Sequence, residues 1–288
     1  MRIQKLESTD AFVVWDLEGA ERSAGVARLG PKILQEGAEM LARSVTYSFA
    51  AFGVKMSGAS AGINSKPEGR DAAVKAFVTE LAPFAGAGTL VLHAGSGLQD
   101  VDLAPLTGSD VAALADDELT AHSAVVATEA TIGSLDGKSV AVAGTGPVAD
   151  AAAIALGDRG ADVVDDGLDS PADALLVAGK SGMVTHGVAE GIKAGVVVPL
   201  TPLPITAKAY AVFRRAGVTY VPDFVALAAP LLAACDSEHA TDPVERVWEA
   251  VAEIAPNGPD GWLVAVGMAE AFLSTWQEAL PFGRPLAT

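Results

Sequence analysis

One run of residues near the middle of the chain constrains the fold more than any other. Ser139-Val140-Ala141-Val142-Ala143 is a short, largely apolar segment of the kind that forms a strand, and Gly144-Thr145-Gly146-Pro147-Val148-Ala149 follows it with no spacer. This is the GxGxxA form of a phosphate-binding fingerprint. Gly144 permits the tight turn, Gly146 lets the backbone approach a pyrophosphate, and Ala149 is small enough for close helix-sheet packing. A helix over 148–158 then directs its free N–H groups and positive dipole end at the phosphates, and a second strand at 161–164 completes the unit. The expected contacts are Gly144, Thr145, Gly146, Pro147 and Val148. Asp165 and Asp166 lie about 20 residues beyond Gly144, where a carboxylate accepts the ribose hydroxyls of NAD and repels the additional phosphate of NADP. No Arg or Lys follows closely, so NAD is expected ahead of NADP. The plainer reading of either Asp is a solvated acid of a very acidic protein.

At 288 residues the chain is long enough for two domains, each with its own core. The first third predicts α/β structure: a strand at 11–16, a helix at 33–51, a helix at 69–84, a strand at 89–93 and a tight turn at Ala94-Gly95-Ser96-Gly97. The small-residue stretch Ser57-Gly58-Ala59-Ser60-Ala61-Gly62 is expected to be a tight loop. A linker over 100–117 and a crossing helix at 120–132 lead to strands near 138–143, 161–165, 173–177, 194–198 and 218–221, which alternate with helices as in a doubly wound sheet. Residues 243–280 read as helical. The expected fold is therefore α/β with two domains: an N-terminal α/β substrate-type domain, 1–117, completed by C-terminal helices at 243–288, and a Rossmann-like, doubly wound NAD(P)-binding domain at 118–242.

Charge narrows the partners. With 36 acidic against 19 basic residues the formal charge is -17, and the acids are spread along the chain. Such a surface repels phosphate backbones and anionic lipids, so neither nucleic acid nor membrane is an expected partner, and no apolar run approaches the roughly 20 residues of a membrane span. The composition resembles that of salt-loving cytoplasmic proteins, an expectation checked by stability in molar salt against dilute buffer. Nothing at the N-terminus reads as a signal peptide, and a cytoplasmic location is expected. Cys235 reads as a core residue, and the four histidines show no metal-ligand spacing.

Several segments together resemble the dehydrogenases of glutamate, leucine, phenylalanine and valine. Thr46-Tyr47-Ser48-Phe49-Ala50-Ala51-Phe52-Gly53 and Ser57-Gly58-Ala59-Ser60-Ala61-Gly62-Ile63 are similar to that family's helix and glycine-rich catalytic segment, and Arg28 falls where the family has an arginine after paired small residues. Leu119-Thr120-Ala121-His122, Ser134-Leu135-Asp136-Gly137-Lys138, Pro199-Leu200-Thr201-Pro202 and Val221-Pro222-Asp223-Phe224 continue the match in order. The resemblance implies a nicotinamide cofactor, with Thr120 among its contacts, a small-molecule substrate or nucleotide effector, and a homo-oligomer.

The family's chemistry needs a lysine to activate water, a lysine to hold the substrate carboxylate and an aspartate for proton transfer. Matched position by position, these fall on Ser60, Ser48 and Ser96, and two asparagines that orient the nicotinamide fall on Val197 or Val198 and on Leu227. A serine supplies no positive charge, and loss of one such contact costs on the order of 2–5 kcal/mol. Ordinary oxidative deamination is therefore not expected. His93, on the strand leading to Ser96, and Lys55, five residues before Ser60, are the candidate replacements, with Lys66 and His122 behind them; against each stands a structural reading as strand histidine or solvated lysine. Three functions follow: an NAD-dependent oxidoreductase with altered substrate and a pocket lined by Ser48, Ser60 and Ser96; a non-catalytic NAD(H)-binding sensor or subunit that partners an intact dehydrogenase; or, disfavoured by the missing lysines, an active amino-acid dehydrogenase in which Lys55 or Lys66 replaces them through a shifted loop.

Overall fold

Small side chains decide the centre of the N-terminal sheet. Residues 57–62, expected as a loop, instead open β4 (Ser57–Asn64), a buried strand in the middle of the sheet. Their size is what the position requires. A Cβ on Gly58 would lie 1.8 Å from the Ala42 carbonyl oxygen, and one on Gly25 would lie 1.7 Å from that of Ala59. Glycine here permits close backbone approach rather than a turn, which a period-2 hydrophobic reading does not register.

The computed structural model describes residues 1–106, 116–164, 167–236 and 239–287. Contacts divide the chain into two units, Met1–Ala115 with Glu270–Pro285 and Asp116–Ala269 with Leu286–Thr288.

The first unit contains β1 (Arg2–Lys5), β2 (Ala11–Trp15), β3 (Ser23–Gly30), α1 (Gln35–Ala51), β4, α2 (Arg70–Gly86), β5 (Leu90–Ala94) and α3 (Asp100–Leu103). Its sheet order is β1-β2-β4-β3-β5; β3, β4 and β5 run parallel, and β2 is antiparallel to β4 and to β1. The register places Val26 beside Ser60 on one side and His93 on the other. One face packs Phe12, Val14, Ala38 and Ala42, the last two from α1; the other packs Val13, Trp15, Ala59, Ala61 and Ile63 against Phe77 and Leu81 of α2. Arg43 of α1 forms a buried ion pair with Asp16 at 2.7 Å and donates to the carbonyls of Phe282 and Gly283, which ties the C-terminal segment to this unit.

The second unit contains α4 (Asp117–Ile132), β6 (Ser139–Ala143), α5 (Pro147–Gly157), β7 (Asp162–Val164), β8 (Ala174–Val177), α6 (His186–Gly191), β9 (Val196–Pro199), α7 (Ala207–Ala216), β10 (Thr219–Tyr220), α8 (Asp223–Ala226), α9 (Ala229–Cys235), α10 (Pro243–Ile254) and most of α11 (Gly261–Leu273). All five strands are parallel in the order β10-β9-β8-β6-β7. Residues 243–269, assigned from sequence to the first domain, lie in this unit, where buried Trp262 sits among Tyr210 and Phe224. Cys235 is only partly buried, at the end of α9, rather than in the core. No described helix is long and apolar enough to cross a membrane.

Candidate functional site

The chain passes from β6 to β7 on one side and returns to β8 on the other, so the carboxyl ends of β6 and β8 flank the point where strand order reverses. Open α/β sheets bind ligands at such points. The turn at Gly144 lies there. Gly144 has φ +114°, and a Cβ on it would meet the Ala178 carbonyl oxygen at 1.9 Å, so the turn is pressed against the end of β8. Gly146 also has φ +114°, but a Cβ on it would meet nothing within 4 Å. Its backbone faces open space at the start of α5, whose first turn has no side-chain cap. Pro147 takes the first helical position, where a missing N–H costs nothing, and Ala149 is buried against the sheet. The donors of this first turn and the helix dipole suit a phosphate, so the residues fit a dinucleotide.

Other elements frame the turn. Thr201, beyond β9, accepts from the Gly179 N–H at 3.0 Å and donates to the Gly179 carbonyl at 2.7 Å, which fixes the end of β8. Lys180 follows, exposed, two residues beyond the carbonyl that touches Gly144. No cation follows β7 closely in sequence, and Lys180 becomes a candidate only because β8 lies next to β6 in the sheet. Thr120 donates to the Asp116 carbonyl at 2.8 Å and serves the first turn of α4. Asp165 and Asp166 lie outside the described residues. Val197 and Val198 are fully buried within β9, and Leu227 follows α8, so none of these three positions carries a polar group for a carboxamide. His122 Nε2 is 2.8 Å from Arg159 Nη2, and Arg159 pairs with Glu129 at 3.3 Å. The imidazole is exposed and paired with Arg159, just beyond α5, and burial and the Arg159 charge lower its pKa.

In the first unit, the three serines differ. Ser60 is fully buried on β4 and its hydroxyl donates to the Val26 carbonyl at 3.2 Å. Ser48, buried on α1, donates to the Ser44 carbonyl at 3.2 Å. Ser96 is exposed just beyond β5, and its carbonyl accepts from the Leu29 N–H at 2.8 Å. His93 lies one strand from Val26 on the same face as Ser60; it is 2 % exposed, and burial lowers its pKa to about 4, so it is neutral near pH 7. Lys55 is exposed before the first residue of β4, so at about 3.3 Å per residue the five steps to Ser60 span roughly 16 Å. Lys66 is exposed beyond the other end of the same strand. Strand pairing on both sides fixes the register of β4, so neither lysine reaches the Ser60 position by a shift of this segment.

Neither a family model nor a curated protein matches the sequence. Solved structures do match. L-tryptophan dehydrogenase from Nostoc punctiforme is similar with a TM-score of 0.70 and 17% identity, over 95% of this chain and 96% of that one. The leucine-bound form of hetero-hexameric glutamate dehydrogenase from Thermus thermophilus is similar with a TM-score of 0.75 and 18% identity, over 97% of this chain and 90% of that one. The fold is that of the amino-acid dehydrogenases. Glutamate dehydrogenase from Peptoniphilus asaccharolyticus adds a third case, with a TM-score of 0.68 and 16% identity over 93% of this chain. Within this dehydrogenase fold, the glycine turn and parallel sheet of the second unit occupy the expected Rossmann-like arrangement.

Proposed function

We propose that the second unit binds a nicotinamide dinucleotide on the turn at Gly144, Thr145, Gly146, Pro147 and Val148, and that the chain is an oxidoreductase whose reaction is not ordinary oxidative deamination. The observation that carries the first part is the pair of glycines: one is locked against Ala178, and the other is open at the start of α5, at the switch point of the sheet. When bound, the dinucleotide supplies a hydride acceptor or donor. The protein's own part is to hold the phosphates with first-turn N–H groups and to balance their charge with Lys180.

The second part is supported by serine where the lysine and aspartate chemistry is needed. The position of Asp165 and Asp166 about 20 residues beyond Gly144 supports NAD ahead of NADP. Titration with NAD, NADH, NADP and NADPH, followed by nicotinamide fluorescence, tests the reading; binding of at least one is expected, and binding of none overturns it. A non-catalytic NAD(H)-binding subunit is favoured by one observation: the Ser48 and Ser60 hydroxyls are both directed at backbone carbonyls. Dinucleotide binding without turnover of any amino, hydroxy or oxo acid, with or without a partner dehydrogenase of hetero-oligomeric type, would select it.

A further inference from the structure

Arg28 differs from the paired arginines of the described residues. Acids outnumber bases by 36 to 19, and six other arginines have carboxylate partners: Arg43 with Asp16, Arg70 with Asp102, Arg159 with Glu129, Arg214 with Asp260, Arg246 with Asp236 and Arg284 with Glu270. Nε and Nη2 of Arg28 are closed off from solvent and have no acceptor among the described residues. Burial works against this charge, yet a guanidinium does not deprotonate in a protein. The residue as a whole is partly buried, and leaving two sealed donors of a charged group without acceptors is costly wherever it occurs.

The surroundings are shaped around it. Gly95 leaves room for its stem: a Cβ there would stand 3.2 Å from Arg28 Cγ and 2.4 Å from Val26 Cγ1. A Cβ on Gly37, in the first turn of α1, would lie 3.9 Å from Nη2. The guanidinium therefore lies between the carboxyl ends of β3 and β5 and the start of α1. β3 is flanked by β4, the next strand in sequence, on one side and by β5 on the other, the arrangement that opens a ligand crevice in α/β sheets.

A second group without a partner faces the same way. Val26 pairs with His93, and Arg28 is two residues further along β3, so both side chains project from one face. His93 is 2 % exposed, and its Nε2 has no partner among the described residues. Two residues along a strand span about 7 Å and neighbouring strands lie about 5 Å apart, which one small molecule can bridge using long side chains.

We propose that Arg28 and His93 form a site for a small 2-hydroxy acid, with the carboxylate on the guanidinium and the adjacent hydroxyl on the imidazole. A hydroxyl suits the pair better than an ammonium does, because Arg28 repels a second positive charge and the position that carries an aspartate in the resembling family is Ser96. Calling the molecule a substrate rests on the oxidoreductase reading; binding itself does not.

Calorimetry with three molecules of nearly equal size tests this: glycolate, glycine and glycolamide. Glycolate is expected to bind, and glycine and glycolamide at least about tenfold more weakly, the scale of one charged hydrogen bond lost or opposed. Arg28→Met is expected to weaken glycolate about 30-fold or more and Arg28→Lys much less, with NADH binding unchanged in both. Equal glycolate affinity in Arg28→Met, or equal affinity for all three molecules, overturns the proposal. An unaltered chain that binds NADH but not glycolate overturns the proposal while the nucleotide reading stands; an unaltered chain that binds glycolate but not NADH does the reverse. If Arg28→Met does not fold, Arg28→Lys and the glycolate-glycolamide comparison on the unaltered chain decide.

Discussion

Replacing Gly144 and Gly146 separately by alanine distinguishes a turn that is merely tight from one that receives a phosphate. Both glycines have φ +114°, which an L-residue rarely adopts, so each substitution carries strain of about 1–3 kcal/mol. They differ in what the new methyl meets. At Gly144 it would sit 1.9 Å from the Ala178 carbonyl oxygen, far inside van der Waals contact, and either β6 or β8 must move. The total cost is expected to exceed about 4 kcal/mol, a large share of a typical domain's stability. At Gly146 nothing lies within 4 Å, so the strain stands alone. The methyl there would instead project into the space where a pyrophosphate approaches the backbone. Gly146→Ala is thus expected to fold, to lose about 1–3 kcal/mol in urea unfolding, and to bind NADH at least about tenfold more weakly. Circular dichroism against urea and quenching of NADH fluorescence measure the two effects independently. A Gly146→Ala protein that binds NADH as the unaltered chain does would refute the placement of the phosphate, and a Gly144→Ala protein of unchanged stability would refute the packing of the turn on β8.

Two further outcomes follow from titratable and charged side chains. His93 has its folded pKa lowered to about 4 from 6.5 by burial, so the unfolded chain binds the proton more readily; the associated stability is fully present above about 6.5, falls between about 6.5 and 4, and is exhausted below that. The loss amounts to about 3 kcal/mol, and urea midpoints of His93→Gln should lack this acid dependence while those of the unaltered chain show it. Lys180→Ala is expected to weaken NADH binding about three- to tenfold at low salt and little in molar salt, because an exposed cation acts through a screened field; an affinity loss independent of salt would count against that role.

The Gly144–Ala149 turn was legible in the sequence because everything it needs is local: a strand, two residues tolerant of positive φ, a small residue for packing and a helix start follow one another along the chain. The alternation of strands and helices across the second unit was legible for the same reason. The absence of lysine from positions 48 and 60 was likewise a matter of residue identity.

Residues 57–62 show where local reading stops. Ser-Gly-Ala-Ser-Ala-Gly has the composition of a loop, and only the proximity of Ala42 and of β3 turns small size into a requirement of the sheet centre. The same holds for the cations. Lys180 is 34 residues from Gly146 in sequence, yet strand order sets it two residues beyond the carbonyl that faces Gly144, and Arg28 and His93, 65 residues apart, share a face because β3 and β5 are neighbours in register. Sequence by itself determined the elements and which residues were available to them, since dihedral preference and hydrophobic period act over a few residues. Only the tertiary structure decided which of those residues stand together and which charges are left without a partner, because those depend on contacts between segments that the chain order keeps apart.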